Sequence, residues 1–186
     1  MKYIIKYSKK NLDNNIIKNN LKMIGSGNIS IKLLSYNTFM RPPPLGIFLE
    51  YKEERLNYLI ENKFANFDII CLQEVFGNFN NRKNKLKNEM EKKGFKYSST
   101  CYNCFFCNGK IIDCGLLILS RYKILKTKFQ SFETSTNIDS FSEKGILYCE
   151  INLTNNIPIH VFCLHMQASY TYVPNENSIK VREKQL

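Results

Sequence analysis

At 186 residues and 21.9 kDa, with 44% hydrophobic and 13% aromatic residues, the chain can build one domain with a sizeable core; wholesale disorder is excluded. Its formal net charge of +11, from 27 Lys+Arg against 16 Asp+Glu, favours polyanions: nucleic acid, anionic lipid head groups or phosphorylated substrates. Much of that charge is Lys scattered among Asn, as in KKNLDNNIIKNN, which the composition bias of an AT-rich genome explains as readily as a binding patch.

The start, MKYIIKYSKK, has too short an apolar run for a signal peptide, and no run of ~18 apolar residues exists to cross a bilayer. The chain therefore reads as cytoplasmic or peripheral to a membrane, with its seven cysteines reduced by default. Residues 1–28 end in GSGN and read as a Lys/Asn-rich extension or marginal helix ahead of a domain over 29–186. ISIKLLSYN (29–37) is apolar and β-branched, which predicts a largely buried strand. The three prolines of MRPPPLG then impose a rigid loop. Between residues 50 and 67, Leu56, Leu59, Ile60, Phe64 and Phe67 recur at helical spacing. FDIICLQEV predicts a second buried strand, Asp68 to Gln73, that runs into a carboxylate at Glu74. A helix follows over 82–94, with Leu86 and Met90 one turn apart and Gly94 at the position just past its end. FKYSSTCY, CGLLILS, KILKTKFQSFE, KGILYCEINL and IPIHVFCLHM then read as strands, and NENSIKVREKQL as an amphipathic helix. This order predicts an α/β layered fold with at least one mixed sheet.

Three polar side chains fall at strand ends. Glu74 ends a buried strand, where open α/β sheets place their ligand crevices, and an acid there is costly unless paired or holding a cation. Asn37 occupies the equivalent place on the preceding strand, and its amide suits a phosphate oxygen or a metal-bound water, or simply a turn. His165 closes IHVFCLH as a proton donor or a structural histidine, while His160 points to the opposite face. Asn, Glu and His on one rim would form a phosphate-and-cation site, and a hard oxygen-donor set with few protein ligands suits Mg²⁺.

SYNTFMRPP, FDIICLQEVFG, CGLLILSRYKI, FSEKGILYCEI and HVFCLHMQA, in this order, resemble the endonuclease/exonuclease/phosphatase superfamily, and within it most closely the neutral sphingomyelinases. LQE and GLLILSRY are marks of the superfamily; YNTFMRPP, SEKG and H-x-Q-A draw the resemblance towards sphingomyelinases. It implies a four-layer α-β-β-α sandwich, incomplete in this chain. It also implies Mg²⁺-dependent in-line attack of water on a phosphodiester, splitting sphingomyelin at a membrane surface into ceramide and phosphocholine, with no dedicated nucleic-acid partner. Glu74 would be the Mg²⁺ ligand, Asn37 would orient phosphate or metal-bound water, and His165 would stabilise charge on the phosphoryl oxygens. Asp139 and Lys144 in DSFSEK would be an acid–base pair flanking the site, and Arg121 a structural residue or a general phosphate contact. The alternatives are a DNA or RNA endonuclease or a phosphoinositide phosphatase of the same scaffold, or a degenerate, non-catalytic binding module.

The family's Gly-Asp-x-Asn and Ser-Asp-His motifs are missing, so the chain resembles an N-terminal half, expected to be inactive by itself. The four cysteines of CYNCFFCNGKIIDC, spaced C-x₂-C-x₂-C-x₆-C, fit neither structural zinc nor ferredoxin spacing. They read as scaffold in a hairpin away from the Mg²⁺ ligands.

Overall fold

The computed structural model describes residues 2–7, 29–42, 51–101, 111–153, 158–169 and 175–186. The first sheet has the strand order β1-β2-β3-β5-β4, built from β1 (Lys2–Tyr7), β2 (Ile29–Met40), β3 (Ile69–Val75), β4 (Tyr97–Thr100) and β5 (Leu117–Ser120). It is mixed: β2 and β3 run parallel, and the other pairings are antiparallel. The second sheet is an antiparallel meander of β6 (Lys123–Ser131), β7 (Gly145–Asn152) and β8 (Pro158–His165).

The two sheets face each other. Ile31, Ile69, Cys71 and Ile118 of the first meet Leu147, Cys149, Ile151, Val161 and Cys163 of the second in one buried cluster. A second cluster lies on the other face of the first sheet. There Leu34, Ile70, Leu72, Leu117 and Leu119 pack against Leu56, Ile60, Phe64, Leu86 and Met90. These side chains come from α1 (Lys52–Asn62), the 3-10 turn Phe64–Asn66 that follows it, and α2 (Arg82–Lys92). β3 is thus buried on both faces, which is why FDIICL reads as an unbroken apolar run rather than an alternation. β7 alternates strictly instead, with only its inward side chains buried.

Both predicted central helices form, each a little shorter than its apolar periodicity. Gly94 terminates α2 as expected, with φ at 93° and its N–H donated to the Glu91 carbonyl at 2.9 Å. α3 (Glu176–Gln185) begins at Asn175, whose side chain accepts from the Ser178 N–H. Gln185 at its other end accepts from the Gln167 N–H at 2.9 Å and donates to the Thr134 carbonyl at 2.7 Å, tying the helix to the loops after β8 and β6.

Three expectations need correction. Residues 2–7 are not outside the fold: they pair antiparallel with β2 as an edge strand, Lys2 opposite Leu34. The thiols are not all reduced, because Cys101 and Cys114 form a disulfide beside the first cluster. Its Cys114 end is also not remote from Glu74 and His165, because the Cys114 backbone stands against the His165 imidazole. The proline loop of MRPPPLG from Pro43 onward, residues 8–28, and Cys104 and Cys107 lie outside the described residues.

Candidate active site at the strand ends

β2 does not end cleanly. Its register with β3 shifts between Asn37 and Met40, and Phe39 takes a left-handed φ of 51°. Three interactions hold this bulge. The Asn37 Oδ1 accepts the Phe39 N–H at 2.9 Å, buried Thr38 donates its hydroxyl to the Gln73 carbonyl at 2.9 Å, and Arg55 of α1 donates to the Phe39 carbonyl at 2.9 Å. With its oxygen occupied locally, Asn37 turns its Nδ2 to Glu74.

Glu74 is itself left-handed, with φ at 58°. A β-strand residue with a Cβ holds that conformation only where its surroundings impose it, and such strain concentrates at functional sites. The next residue is fixed from the side, as the Val75 N–H donates to the Gly115 carbonyl at 2.9 Å. The result is a carboxylate whose Oε1 accepts from Asn37 Nδ2 at 2.7 Å and lies 3.7 Å from His165 Nε2. The three strand-end residues predicted to converge therefore do so.

The His165 and Glu74 side chains are only 11% and 15% exposed. Burial, aided by the neighbouring Lys144 cation, holds the His165 imidazole down at about 4, against smaller opposing pulls from the Cys114 backbone and Asp139. His165 is therefore neutral at pH 7, and its contact with Glu74 is not an ion pair. Among the described residues its Nδ1 is buried without a hydrogen-bond partner, and its ring lies 6.4 Å from that of Phe76.

Lys144, adjacent in sequence to the β7 residue that pairs with His165, is also at the rim. Its Nζ lies 2.9 Å from Asp139 Oδ1 and donates to the Met166 carbonyl at 2.8 Å, with both partners of the ion pair almost fully buried. Burial lowers the Lys144 ammonium, while Asp139 and Glu74 raise it. Asp139 Oδ2 in turn accepts the Ala168 N–H at 2.8 Å. The Asp139–Lys144 pair lies beside Glu74 and His165, as a clamp joining the turn Asn137–Phe141 to the segment after β8.

Arg121 is elsewhere. β5 runs antiparallel to β3, with Ser120 opposite Ile69, so Arg121 lies beside Asp68 at the start of β3 while Glu74 lies at its end, on the order of 20 Å away at ~3.3 Å per residue. Its guanidinium donates to the carbonyls of Phe67, Lys93 and Ala65 at 2.8–3.0 Å and covers the Phe95 ring. The substrate-contact role is corrected accordingly: Arg121 ties the ends of α2 and the 3-10 turn to the sheet. His160, as predicted, faces away, its Nδ1 2.8 Å from the Tyr148 hydroxyl.

Two buried polar groups next to the rim carry no individual role in the sequence pattern, although Gln167 belongs to H-x-Q-A. Buried Gln167 accepts the Thr136 N–H at 3.0 Å, fixing the turn that carries Asp139. Buried Asp113 bonds Lys83, Gly77 and Gly115. In sequence Asp113 passes for a turn aspartate two residues before a glycine; its burial separates it from one.

The Endonuclease/Exonuclease/phosphatase family profile matches residues 34–158, and the chain belongs to that family. It is 35% identical over 114 residues to a sphingomyelinase of Dictyostelium discoideum, covering 57% of this chain and 25% of that one. It is 27% identical to Sphingomyelinase C 2 of Leptospira interrogans over 87% of this chain and 27% of that one. Among solved structures, a Staphylococcus aureus beta toxin variant with bound magnesium ions superposes with a TM-score of 0.70, at 22% identity, over 83% of this chain and 56% of that one. The chain thus spans about a quarter of the length of these curated relatives, and the superposition establishes the shared fold.

Proposed function

We propose that the protein is a Mg²⁺-dependent phosphodiesterase of phospholipase C type that hydrolyses sphingomyelin to ceramide and phosphocholine. The observation that carries this reading is Asn37, Glu74 and His165 on one rim of the family fold, with Glu74 held in a left-handed turn. Named sphingomyelinases among the relatives support the substrate class.

The residues fit a hard cation. Glu74 is a nearly buried carboxylate that accepts from the Asn37 amide and lies beside the neutral His165 imidazole, while the Lys144 cation that also acts on it is paired directly with Asp139, so a hard cation at its free oxygen would be stabilised. Among those residues no group of three or more His, Cys, Asp or Glu could by itself enclose a metal, which suits Mg²⁺, an ion that keeps waters and takes oxygens from substrate phosphate. Bound there, Mg²⁺ would supply Lewis-acid stabilisation of the phosphoryl charge. Asn37 holds the carboxylate oriented through its Nδ2. His165, neutral, keeps one ring N–H to donate to a phosphoryl oxygen, in a setting dry enough to strengthen that bond. Lys144, restrained by Asp139, adds fixed positive charge nearby. His165 is the histidine of this rim, since His160 faces the other way, with its Nδ1 at the Tyr148 hydroxyl. Exposed Phe39 at the β2 bulge, Phe79 on the loop after β3 and Phe141 at the end of the Asn137–Phe141 turn favour a membrane surface.

The test is phosphocholine release by the intact protein from sphingomyelin vesicles with Mg²⁺, alongside nicking of abasic DNA and phosphate release from phosphoinositides. Turnover confined to sphingomyelin supports the proposal. Turnover confined to DNA or phosphoinositide would replace it with a nuclease or a phosphatase.

A further inference from the structure

Asp113 is only 5% exposed, and its partners come from three separate segments. Oδ2 accepts from Lys83 Nζ, in the first turn of α2, at 2.7 Å and from the Gly77 N–H at 2.9 Å. Oδ1 accepts the Gly115 N–H at 2.8 Å, and the Asp113 N–H donates to Asn78 Oδ1 at 2.7 Å. Lys83 is 4% exposed, so the pair is shielded from solvent and from screening.

These segments are the walls of the rim. Gly77 and Asn78 lie on the loop that leaves β3 directly after Glu74, and Gly115 precedes β5. The Gly115 carbonyl accepts from Val75, the residue after Glu74, at 2.9 Å. Phe76 sits between Gly115 and His165: a Cβ on Gly115, which has φ at 62°, would lie 2.8 Å from the Phe76 ring. The Phe76 ring is 6.4 Å from that of His165. One carboxylate therefore joins the loop that turns Glu74 left-handed to the segment that backs His165.

We propose that the buried Asp113–Lys83 pair is a positioning element for the cation site, stapling the loop after β3 to the segment before β5 so that Glu74 presents its carboxylate to a divalent ion. The proposal rests on the reading of Glu74 as the metal ligand. Outer groups that orient a metal-binding carboxylate commonly set metal affinity by about 10–100-fold, and these two residues touch the loop rather than the metal.

The experiment is Mn²⁺ titration by electron paramagnetic resonance, well below the melting temperature of each protein, with amide exchange read on the same samples. The proteins are the wild type, Glu74→Ala, Asp113→Asn, Lys83→Met, Lys83→Arg and the double Asp113→Asn/Lys83→Met, in which no buried charge is left unpaired. The wild type and Lys83→Arg should bind Mn²⁺ alike, and Glu74→Ala should not bind. Asp113→Asn and the double variant should bind at least about tenfold more weakly while remaining folded, with faster exchange at Val75 and Gly77. Should Asp113→Asn fail to fold, the double variant carries the comparison. Wild-type affinity and exchange in the folded double variant, with binding still lost in Glu74→Ala, would overturn the staple alone. Unchanged binding in Glu74→Ala would overturn the metal-ligand reading and the staple with it.

Discussion

Replacing Lys144 by methionine isolates the clamp that closes the rim. Methionine matches the stem in size and removes the charge, leaving Asp139 buried without its 2.9 Å partner and the Met166 carbonyl without its 2.8 Å donor. Asp139 keeps the Ala168 N–H at 2.8 Å, which offsets part of the loss. Because both side chains are under a tenth exposed, solvent cannot replace the lost cation. Removing one partner of such a pair costs about 3–5 kcal/mol. For a chain of this size, each kcal/mol moves the melting temperature by about 2–4 °C, so a fall of roughly 6–20 °C is expected. Neutralising both residues, in Lys144→Met/Asp139→Asn, should restore about half of that or more, because no unpaired buried charge remains. Urea denaturation and differential scanning calorimetry on the four proteins of the cycle give the coupling directly. A Lys144→Met loss below about 1 kcal/mol, or a double variant as unstable as the sum of its singles, would show that the pair does not hold the turn as described.

Neutral, buried His165 makes stability depend on pH. Its folded value of about 4 lies below the ordinary 6.5, so as pH falls the unfolded chain takes up the proton first. The stabilisation is complete above about pH 6.5 and is lost as pH drops towards 4, a swing of about 3 kcal/mol for a shift of this size. Urea midpoints in metal-free buffer should fall more steeply across that window in the wild type than in His165→Asn; equal slopes would refute it. Arg121→Ala removes donors from three carbonyls and should cost about 2–4 kcal/mol while leaving Mn²⁺ affinity within twofold. Loss of Mn²⁺ binding in a folded Arg121→Ala protein would return Arg121 to the site.

The convergence of Asn37, Glu74 and His165 was legible because each closes a segment whose side-chain pattern marks it as a strand. The carboxylate after IICLQ is conspicuous because β3 is buried on both faces. α1 and α2 were legible from single apolar faces at helical spacing. β1 was not, because an edge strand draws its definition from a partner about thirty residues away, and its Lys-rich composition resembles the segment after it. Arg121 misled because a basic residue after a strand looks alike at either end of a sheet, and only the antiparallel pairing with β3 places it opposite the rim. Asp113 acts through burial and long-range bonds, which short-range patterns do not carry, and H-x-Q-A marks Gln167 without showing its bond to the Thr136 N–H. The Cys101–Cys114 pairing likewise depends on how the chain returns to itself.

The central claim is that Glu74 holds the cation for phosphodiester hydrolysis. The direct measurement is phosphocholine release from sphingomyelin vesicles by the intact protein, with Mg²⁺ or EDTA, in wild type and Glu74→Gln. Glutamine preserves shape and removes the charge. The account predicts release that requires Mg²⁺ and falls by about 10²–10³-fold in Glu74→Gln, with the melting temperature little changed. Release that persists in EDTA, or that Glu74→Gln leaves within a few-fold of wild type, would contradict it.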